Sequence, residues 1–192
     1  MNDKDYTNEV INGDIHTANQ KLAGIESRNK AKTFIYALCY GAGVKRLSEI
    51  LGGSTSHASS VRESFFNNLP AFTTLTNNIE RSSTKGFLKG LDGRKLFVRS
   101  KHSALNTLLQ GAGAIVMKQA LVIFNNELNK EGIDAHFVAN VHDEWQVEVD
   151  KEHAERVGEI GVAAIVAAGQ DLNLSCPLDG EYNVGNNWSE TH

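Results

Sequence analysis

The chain has 192 residues, of which 41% are hydrophobic and 22% charged, with 17 glycines and 2 prolines. This composition predicts one domain, or two small lobes that share a core, and it excludes collagen-like and proline-rich disordered chains. Two cysteines, Cys39 and Cys176, are too few for a disulfide scaffold or an all-cysteine zinc site, and they favour a reducing, cytoplasmic setting.

The net charge of −4 hides an asymmetry along the chain. Residues 1–126 contain 16 Lys+Arg and 9 Asp+Glu, whereas residues 127–192 contain 3 and 14. One surface therefore suits polyanions and another repels them, unless these charges only form a solvated surface. The start of the chain is polar and no uninterrupted apolar run reaches about 18 residues, so we expect neither a signal peptide nor a membrane span.

The first part of the chain is predicted to be helical. A helix is expected over 27–51, with Ser27 as its N-cap and Gly52 as its stop. The stretch from Gly52 to Ser60 is rich in glycine and serine, which predicts a flexible loop or a helix–helix turn. Residues 60–83 have a helical pattern that is broken at Pro70.

The second part mixes helices with short strands. Extended segments flank a turn within 86–100, and the strongest helical pattern covers 103–129. Residues 135–149 predict a β-hairpin with its tip near Asp143-Glu144, and residues 151–169 predict a further helix before a loop-like tail. The fold is therefore of the α/β or α+β class.

Four side chains spaced four residues apart form what we call the cation–tyrosine stripe: Arg28, Lys32, Tyr36 and Tyr40. On a helix each such step turns by only about 40°, so the four project from one side. Two cations and two rings could bind a polyphosphate and stack on a base or sugar. An ordinary amphipathic helix with solvated cations explains the same spacing.

Three further segments contain residues suited to binding or catalysis. Asp143 and Glu144 are adjacent carboxylates at the tip of the predicted hairpin, where they could hold a hard cation such as Mg²⁺ or form a solvated acidic turn. Asn106 and Gln110 form an amide pair on the 103–129 helix, and amides can donate to the minor groove of nucleic acids. Residues 81–102 carry seven Lys+Arg and one acid, the pattern of a phosphate-backbone contact.

The order of these segments resembles the family A DNA polymerases, and most closely those of T-odd-like bacteriophages. Residues 28–43, RNKAKTFIYALCYGAG, are similar to motif B on the O helix of the fingers, and Val141-His142-Asp143-Glu144 is similar to motif C on the palm hairpin. The segments Gly90–Lys95, Val98–Ser100 and Ala104–Gln110 are similar to the region that grips primer–template. The resemblance covers nearly the whole chain.

The resemblance implies an α+β fold that forms part of a polymerase right hand. A helical fingers lobe would cover 1–83, with its O helix within 28–43. The C-terminal part of the palm would cover 84–192, with the DNA-gripping segment at 90–126 and an antiparallel catalytic hairpin at 135–149 packed on helices.

The resemblance also implies roles for individual residues. The incoming dNTP would be bound by His16, Arg28, Lys32, Tyr36 and Tyr40. Primer–template DNA would be contacted by Arg94, Lys95, Arg99, Asn106 and Gln110. Catalysis by two Mg²⁺ ions would use Asp143 and Glu144 as metal ligands, with His142 near the primer end and Lys32 as a proton donor to pyrophosphate.

The family's second metal-binding aspartate, in motif A, has no counterpart in this sequence. Asp3 and Asp5 stand in a polar segment without the apolar residues of a strand. We therefore expect a split-gene subunit, a product of an interrupted gene or a partial sequence, inactive without a second polypeptide that supplies the exonuclease domain, the thumb and the rest of the palm. The expected location is the cytoplasm, that of the host if a phage encodes the chain, with no membrane partner.

Two other functions fit parts of the pattern. A non-catalytic nucleic-acid-binding remnant would keep the basic surface and lose polymerisation. A metal-dependent nuclease would use Asp143 and Glu144 and would cleave nucleic acid without a partner.

Overall fold

The computed structural model describes residues 1 and 3–191, which divide into two compact units, Met1–Gly111 and Ala112–His192. Eight α-helices and two antiparallel two-stranded sheets make up the regular structure of the described residues, so the α+β class is confirmed. The boundary between a fingers lobe and a palm part at 83/84 comes from the family resemblance and stays a prediction.

Six helices open the first unit. They are α1 (Lys4–Asn12), α2 (Ile15–Ala23), α3 (Arg28–Cys39), α4 (Val44–Leu51), α5 (Thr55–Asn68) and α6 (Pro70–Ser83). Their core is built on Phe34, Phe65 and Leu47, which are almost fully buried. Phe65 meets Phe34 and Phe72 edge to face, with ring centroids 6.4 and 5.5 Å away. Such aromatic pairs add specific geometry to the burial of apolar area.

The single helix predicted over 27–51 is wrong, because the chain turns between α3 and α4. Ser27 does cap α3, as predicted, by accepting from the Lys30 N–H at 3.4 Å. At Gly41 the backbone adopts a left-handed conformation with φ +82°, and a Cβ there would lie 2.1 Å from the His102 carbonyl oxygen. A helix cannot continue through such a residue, and only glycine fits this approach of two backbones.

The flexible loop or helix–helix turn predicted over Gly52–Ser60 is a helix–helix turn over Gly52–Ser54, and the prediction is wrong from Thr55 onward. Ser54 caps α5 by accepting from the His57 N–H at 3.1 Å, and the chain is helical from Thr55 onward. The periodic burial of Ala58, Val61 and Phe65 outweighs the weak helix propensity of the serines. The break at Pro70 is confirmed, because α6 begins at that residue.

The helices α1 and α2 were not anticipated from the sequence. Asp3 caps α1 by accepting from the Tyr6 N–H at 2.9 Å, and Asp5 lies in its first turn. Tyr6 then donates its hydroxyl to buried Asn19 of α2 at 2.8 Å. Asp3 and Asp5 therefore belong to a helix, in keeping with the expectation that neither stands in an apolar strand.

The extended segments and turn predicted within 86–100 form a hairpin of β1 (Phe87–Lys89) and β2 (Lys95–Phe97). Leu88 and Leu96 point to one face and pack on Ile79 and Ala104. The chain then enters α7 (Ala104–Glu131), close to the predicted helix 103–129, through a short 3₁₀ turn.

The second unit packs a hairpin against two helices. Its strands are β3 (Ala135–Val141) and β4 (Glu144–Val149), and its last helix is α8 (Ala154–Asp171), as the patterns 135–149 and 151–169 predict. The ring of Phe124 on α7 meets Phe137 edge to face at 5.2 Å, and Gly161 of α8 lies against that ring. The strands are joined by His142 and Asp143, so the tip lies one residue earlier than predicted.

The helix that contains α7 has an 18-residue window of mean hydropathy 1.5, long and apolar enough to cross a membrane. Polar residues interrupt this window, so it is not an uninterrupted apolar run and was not predicted from the sequence. Core helices of soluble proteins satisfy the same criterion, and Lys118 and Gln119 stand near the middle of α7. The helix alone is therefore weak evidence for a membrane span.

We predict that Gly41→Ala destabilises the chain more than Gly24→Ala. Both glycines have a positive φ, so alanine costs about 1–2 kcal/mol of backbone strain at each. A Cβ at Gly24 meets nothing within 4 Å, whereas at Gly41 it would collide with the His102 carbonyl. Thermal unfolding of the two variants measures the difference, and equal losses would mean that the close approach is not a constraint.

Candidate functional site

The cation–tyrosine stripe lies on α3 as predicted. Arg28, Lys32, Tyr36 and Tyr40 are all exposed, with Tyr36 at 50% and Tyr40 at 59%. The opposite side of the helix buries Ala31, Phe34 and Leu38. Because that apolar side is anchored in the core, the stripe has a fixed direction into solvent.

Arg28 is bound by Asp14, a contact that sequence reasoning missed. The guanidinium donates from Nε to Oδ2 at 2.7 Å and from Nη2 to Oδ1 at 3.0 Å, which is the bidentate geometry of a strong charge-assisted pair. Asp14 also caps α2, where it accepts from the N–H of His16 at 3.0 Å and from the hydroxyl of Thr17 at 2.8 Å. One carboxylate thus links the start of α2 to the start of α3.

The Asp14–Arg28 pair shifts both groups toward their charged forms. The guanidinium of Arg28, followed by the Thr17 hydroxyl, holds the pKa of Asp14 well below its usual range. In return, the hydrogen bond to Asp14 raises the pKa of Arg28. Both side chains are about half exposed, so solvent screens the pair and its main effect is to orient the guanidinium. The sequence signal for this pair is the acidic N-cap position directly before Ile15.

His16 places an imidazole ring beside the stripe. Its imidazole lies against Tyr36, with ring centroids 6.1 Å apart and planes at 63°. The Nδ1 atom of His16 is buried and has no hydrogen-bond partner among the described residues. The structure therefore brings together three of the five residues predicted to bind the nucleotide: His16, Arg28 and Tyr36.

The far end of the stripe meets the predicted amide pair. Tyr40 caps α3, and its hydroxyl accepts from Nε2 of Gln110 on α7 at 3.4 Å. Gln110 is exposed, and Asn106 is half-buried one turn earlier on the same helix. A residue predicted to bind the incoming nucleotide is thus hydrogen-bonded to one predicted to contact the primer–template.

The predicted basic segment is exposed on the β1–β2 hairpin and just after it. Arg94 is partly engaged, because its Nε donates to Asp92 at 2.6 Å across the turn. The hydrogen bond from the Arg94 backbone N–H, followed by the Arg94 side chain, lowers the pKa of Asp92. Lys95 and Arg99 are exposed and make no ion pair with the described acidic residues. Two of the three cations predicted to contact DNA therefore remain available to a phosphate backbone.

The second unit holds the predicted catalytic hairpin. His142, at φ +56°, and Asp143 are exposed in its two-residue turn, and Glu144 begins β4 half-buried. The amide of Gln146 donates to Glu144, and the Gln146 carbonyl oxygen accepts from the Thr191 hydroxyl at 3.2 Å. Sequence reasoning missed this support from the C-terminal tail.

The hairpin supplies only part of a metal shell. Carboxylate oxygens are the donors that Mg²⁺ prefers, so Asp143 and Glu144 fit the cation chemically. No group of three or more His, Cys, Asp or Glu that could hold a metal occurs among the described residues. A complete site needs further ligands.

We predict that Asp14→Asn lowers the thermal stability of the chain at pH 7 and lowers it less at acidic pH. Asparagine still caps a helix, so the change isolates the ion pair. Because the folded pKa of Asp14 lies well below its unfolded value of about 3.9, the pair contributes fully above that value, and its contribution declines as the pH falls from there toward the folded pKa. Melting temperatures of wild type and variant from pH 7 to pH 2 measure this convergence.

The control for this pH series is Asp5→Asn, at an exposed carboxylate without an ion pair among the described residues. The difference in melting temperature between Asp5→Asn and wild type should vary less over the same pH range. A difference between Asp14→Asn and wild type that persists unchanged at pH 2 would show that the ion pair makes no contribution.

Comparison with known proteins covers nearly the whole chain. The family model for DNA polymerase family A matches residues 5–190. The chain is 39% identical to the DNA-directed DNA polymerase of Escherichia phage Phieco32 over 97% of its length, and 37% identical to that of Escherichia phage T7 over 98%. It spans 32% and 30% of those two proteins, about a third of their length.

A solved structure has the same fold. It is the POL domain of Pol1 from M. smegmatis in complex with DNA primer-template and dNTP, which superposes with a TM-score of 0.76 at 20% identity. The match covers 86% of this chain and 33% of that one. The family resemblance of the motifs is confirmed, and the chain belongs to DNA polymerase family A.

Proposed function

We propose that the chain is the dNTP-binding and DNA-gripping portion of an enzyme that extends a primer 3′-hydroxyl under the direction of a template. The observation that carries the proposal is the cation–tyrosine stripe, held outward by the buried side of α3. Its phage relatives are named DNA-directed DNA polymerases, and the M. smegmatis neighbour is in complex with DNA primer-template and dNTP.

At the nucleotide end of the stripe, Arg28 and Lys32 bind the triphosphate. The Arg28 fork exchanges the Asp14 carboxylate for phosphate oxygens, which offer the same bidentate geometry. His16 approaches from the side, where its unpaired Nδ1 gains a partner from the ligand or from water. Lys32 stabilises the charge that develops on pyrophosphate and donates a proton to it.

The two tyrosines order the base pair being formed. Tyr36 lies beside His16 and contacts the sugar of the dNTP, whereas Tyr40 lies beside the templating base. The hydrogen bond from Gln110 to Tyr40 couples that position to the amide pair on α7. Asn106 and Gln110 then donate to the minor groove of the terminal base pairs, while Arg94, Lys95 and Arg99 contact the phosphate backbone.

Asp143 and Glu144 would hold Mg²⁺ for the chemical step. When bound, two such ions would lower the pKa of the primer 3′-hydroxyl and neutralise the charge on the leaving pyrophosphate. Gln146 and Thr191 orient the Glu144 carboxylate, and His142 positions the primer terminus. Because the described residues contain no group of three or more possible metal ligands, the ions would need further ligands from elsewhere.

We propose that the remaining metal ligands, the thumb, the exonuclease domain and the rest of the palm come from parts of a family A polymerase outside these 192 residues. The enzyme would work in the cytoplasm of a phage-infected host. The 192 residues should therefore polymerise DNA only when those parts are supplied.

We predict that Lys32→Ala and Arg99→Ala impair different steps of the assembled enzyme. Loss of a charge-assisted phosphate contact at Lys32 should remove about 1.5–3 kcal/mol from dNTP binding and transition-state stabilisation, at least tenfold in kcat/KM, with little change in DNA affinity. Arg99→Ala should weaken DNA binding and make its salt slope shallower by about one.

The control for these two variants is Lys30→Ala. Lys30 lies on α3 off the stripe, and its ammonium donates to the Leu51 carbonyl at 3.0 Å. Lys30→Ala should change neither kcat/KM for the dNTP nor the affinity for DNA. The assignment of separate roles would be wrong if Lys32→Ala and Arg99→Ala lowered both quantities equally.

We predict that the 192-residue chain alone does not extend a primer, and that co-expression with the remaining part of a family A polymerase restores Mg²⁺-dependent extension. Asp143→Asn should abolish the restored activity, because the amide is a poor ligand for a hard cation. Asp179→Asn is the matched control at an exposed carboxylate remote in sequence from the hairpin.

Three outcomes of this experiment contradict the proposal. Extension by the chain alone would show that it contains a complete site. Binding of DNA without extension in any combination would favour the non-catalytic remnant. Metal-dependent cleavage of DNA by the chain alone, lost in Asp143→Asn, would favour the nuclease.

A further inference from the structure

The β1–β2 hairpin has an outer face on which aromatic and basic side chains are paired. In its register Phe87 lies opposite Phe97, and Lys89 lies opposite Lys95. Side chains alternate along a strand, and directly opposed residues share a face, so these four project from the same side. We call them the aromatic–basic face.

The inner face of the hairpin fixes that orientation. Leu88 is buried, and Leu96 packs with it against Ile79 of α6 and Ala104 at the start of α7. A slip of the register by one residue would expose both leucines, so the aromatic–basic face is held toward solvent.

The two rings on this face differ in accessibility. The Phe87 ring is covered by the Lys95 ammonium, which lies 4.8 Å from its centroid. Phe97 is 76% exposed, the most exposed large hydrophobic side chain in the part of the chain that the structure describes. The Phe97 ring shares its face with Lys89 and Lys95, and because most of it is exposed it gains little from the packing of the fold.

The charge around the ring points to a polyanion. Asp92 is the only acid among residues 81–102, and it is already paired with Arg94. Lys89, Lys95 and Arg99 make no ion pair with the described acidic residues. Surfaces that bind unpaired nucleic acid commonly combine an exposed aromatic ring with nearby cations. A base stacks on the ring, and the cations contact the phosphates.

We propose that the aromatic–basic face binds an unpaired DNA strand, with one base stacked on Phe97 and the adjacent phosphates on Lys89 and Lys95. This deepens the proposed function, since it assigns the polymerase a site for single-stranded template. A paired strand does not fit as well, because the faces of its bases are already stacked on their neighbours.

The test measures binding of the complete chain to two fluorescently labelled oligonucleotides of equal length, one of deoxythymidine and one abasic, by anisotropy. Phe97→Ala should weaken binding to the deoxythymidine strand about tenfold and leave the abasic strand unchanged. Phe97→Trp should retain binding to the deoxythymidine strand. Phe97→Leu should bind this strand as weakly as Phe97→Ala, because leucine keeps apolar bulk but has no ring to stack on a base. Because Phe97 is exposed, the variants should melt at the wild-type temperature.

Two further variants separate stacking from charge. Lys89→Ala combined with Lys95→Ala should weaken binding to both oligonucleotides and, at about 0.7 for each lost phosphate contact, make the salt slope shallower by about 1.4. Val122→Ala, at an exposed valine on α7, is the control for loss of apolar surface and should change nothing.

The inference is overturned if wild type binds neither strand, if Phe97→Ala weakens binding to both strands equally, if Phe97→Leu binds like wild type, or if blunt duplex shows the larger Phe97 dependence. These results are distinct from those that test the proposed function. Phe97-dependent binding without primer extension refutes only the polymerase reaction, whereas extension with Phe97-independent binding refutes only this site.

Discussion

Burial of the Phe34 ring is the constraint on which the rest of the first unit depends. The ring lies edge to face with Phe65 and is completely covered, together with Ala31 and Leu38 on the same side of α3. This contact sets the rotation of α3 about its axis. A helix rotated by one residue, about 100°, would carry Arg28 away from Asp14, and Tyr36 would lose its contact with the His16 imidazole.

Two charged groups at the candidate sites are oriented by hydrogen bonds from neighbouring side chains, although neither group is fully buried. Arg28 is held by Asp14, and Glu144 is held by Gln146, which in turn binds Thr191 of the tail. Pairs of this exposure add little to stability. Their effect is to restrict the conformations of long side chains, which lowers the entropy lost when a ligand binds.

Sequence reasoning succeeded where one residue type has a strong local effect. Pro70 marked a helix boundary, and the alternating residues around Asp143 marked a hairpin. It failed at Gly41, where the backbone lies so close to the carbonyl of His102 that only glycine fits. This contact joins residues that are distant in sequence. It also failed at Thr55–Ser60, where burial of a few residues decides the structure against composition.

The candidate sites show the same division. The spacing of the cation–tyrosine stripe could be read directly, because helix geometry converts spacing into direction. The partners of these residues could not be predicted, because Asp14 contacts Arg28 only when α2 and α3 pack together. Similarly, Phe97 is exposed because Leu96 packs on the opposite, inner face of the hairpin.

The turn of the β3–β4 hairpin is built from residues that do not favour it. Two-residue hairpin loops with a positive φ at the first position are best formed by glycine or asparagine, yet His142 stands there at φ +56°. The six paired positions of β3 and β4 must hold this conformation against a preference of about 1 kcal/mol for another. The backbone that carries the imidazole and the adjacent Asp143 is therefore held in place by the hydrogen-bonded pairing of β3 and β4 rather than by the preferences of the turn residues. Replacement of His142 by glycine would relax the loop and remove the ring, so local stability and chemistry set opposite demands at this one position.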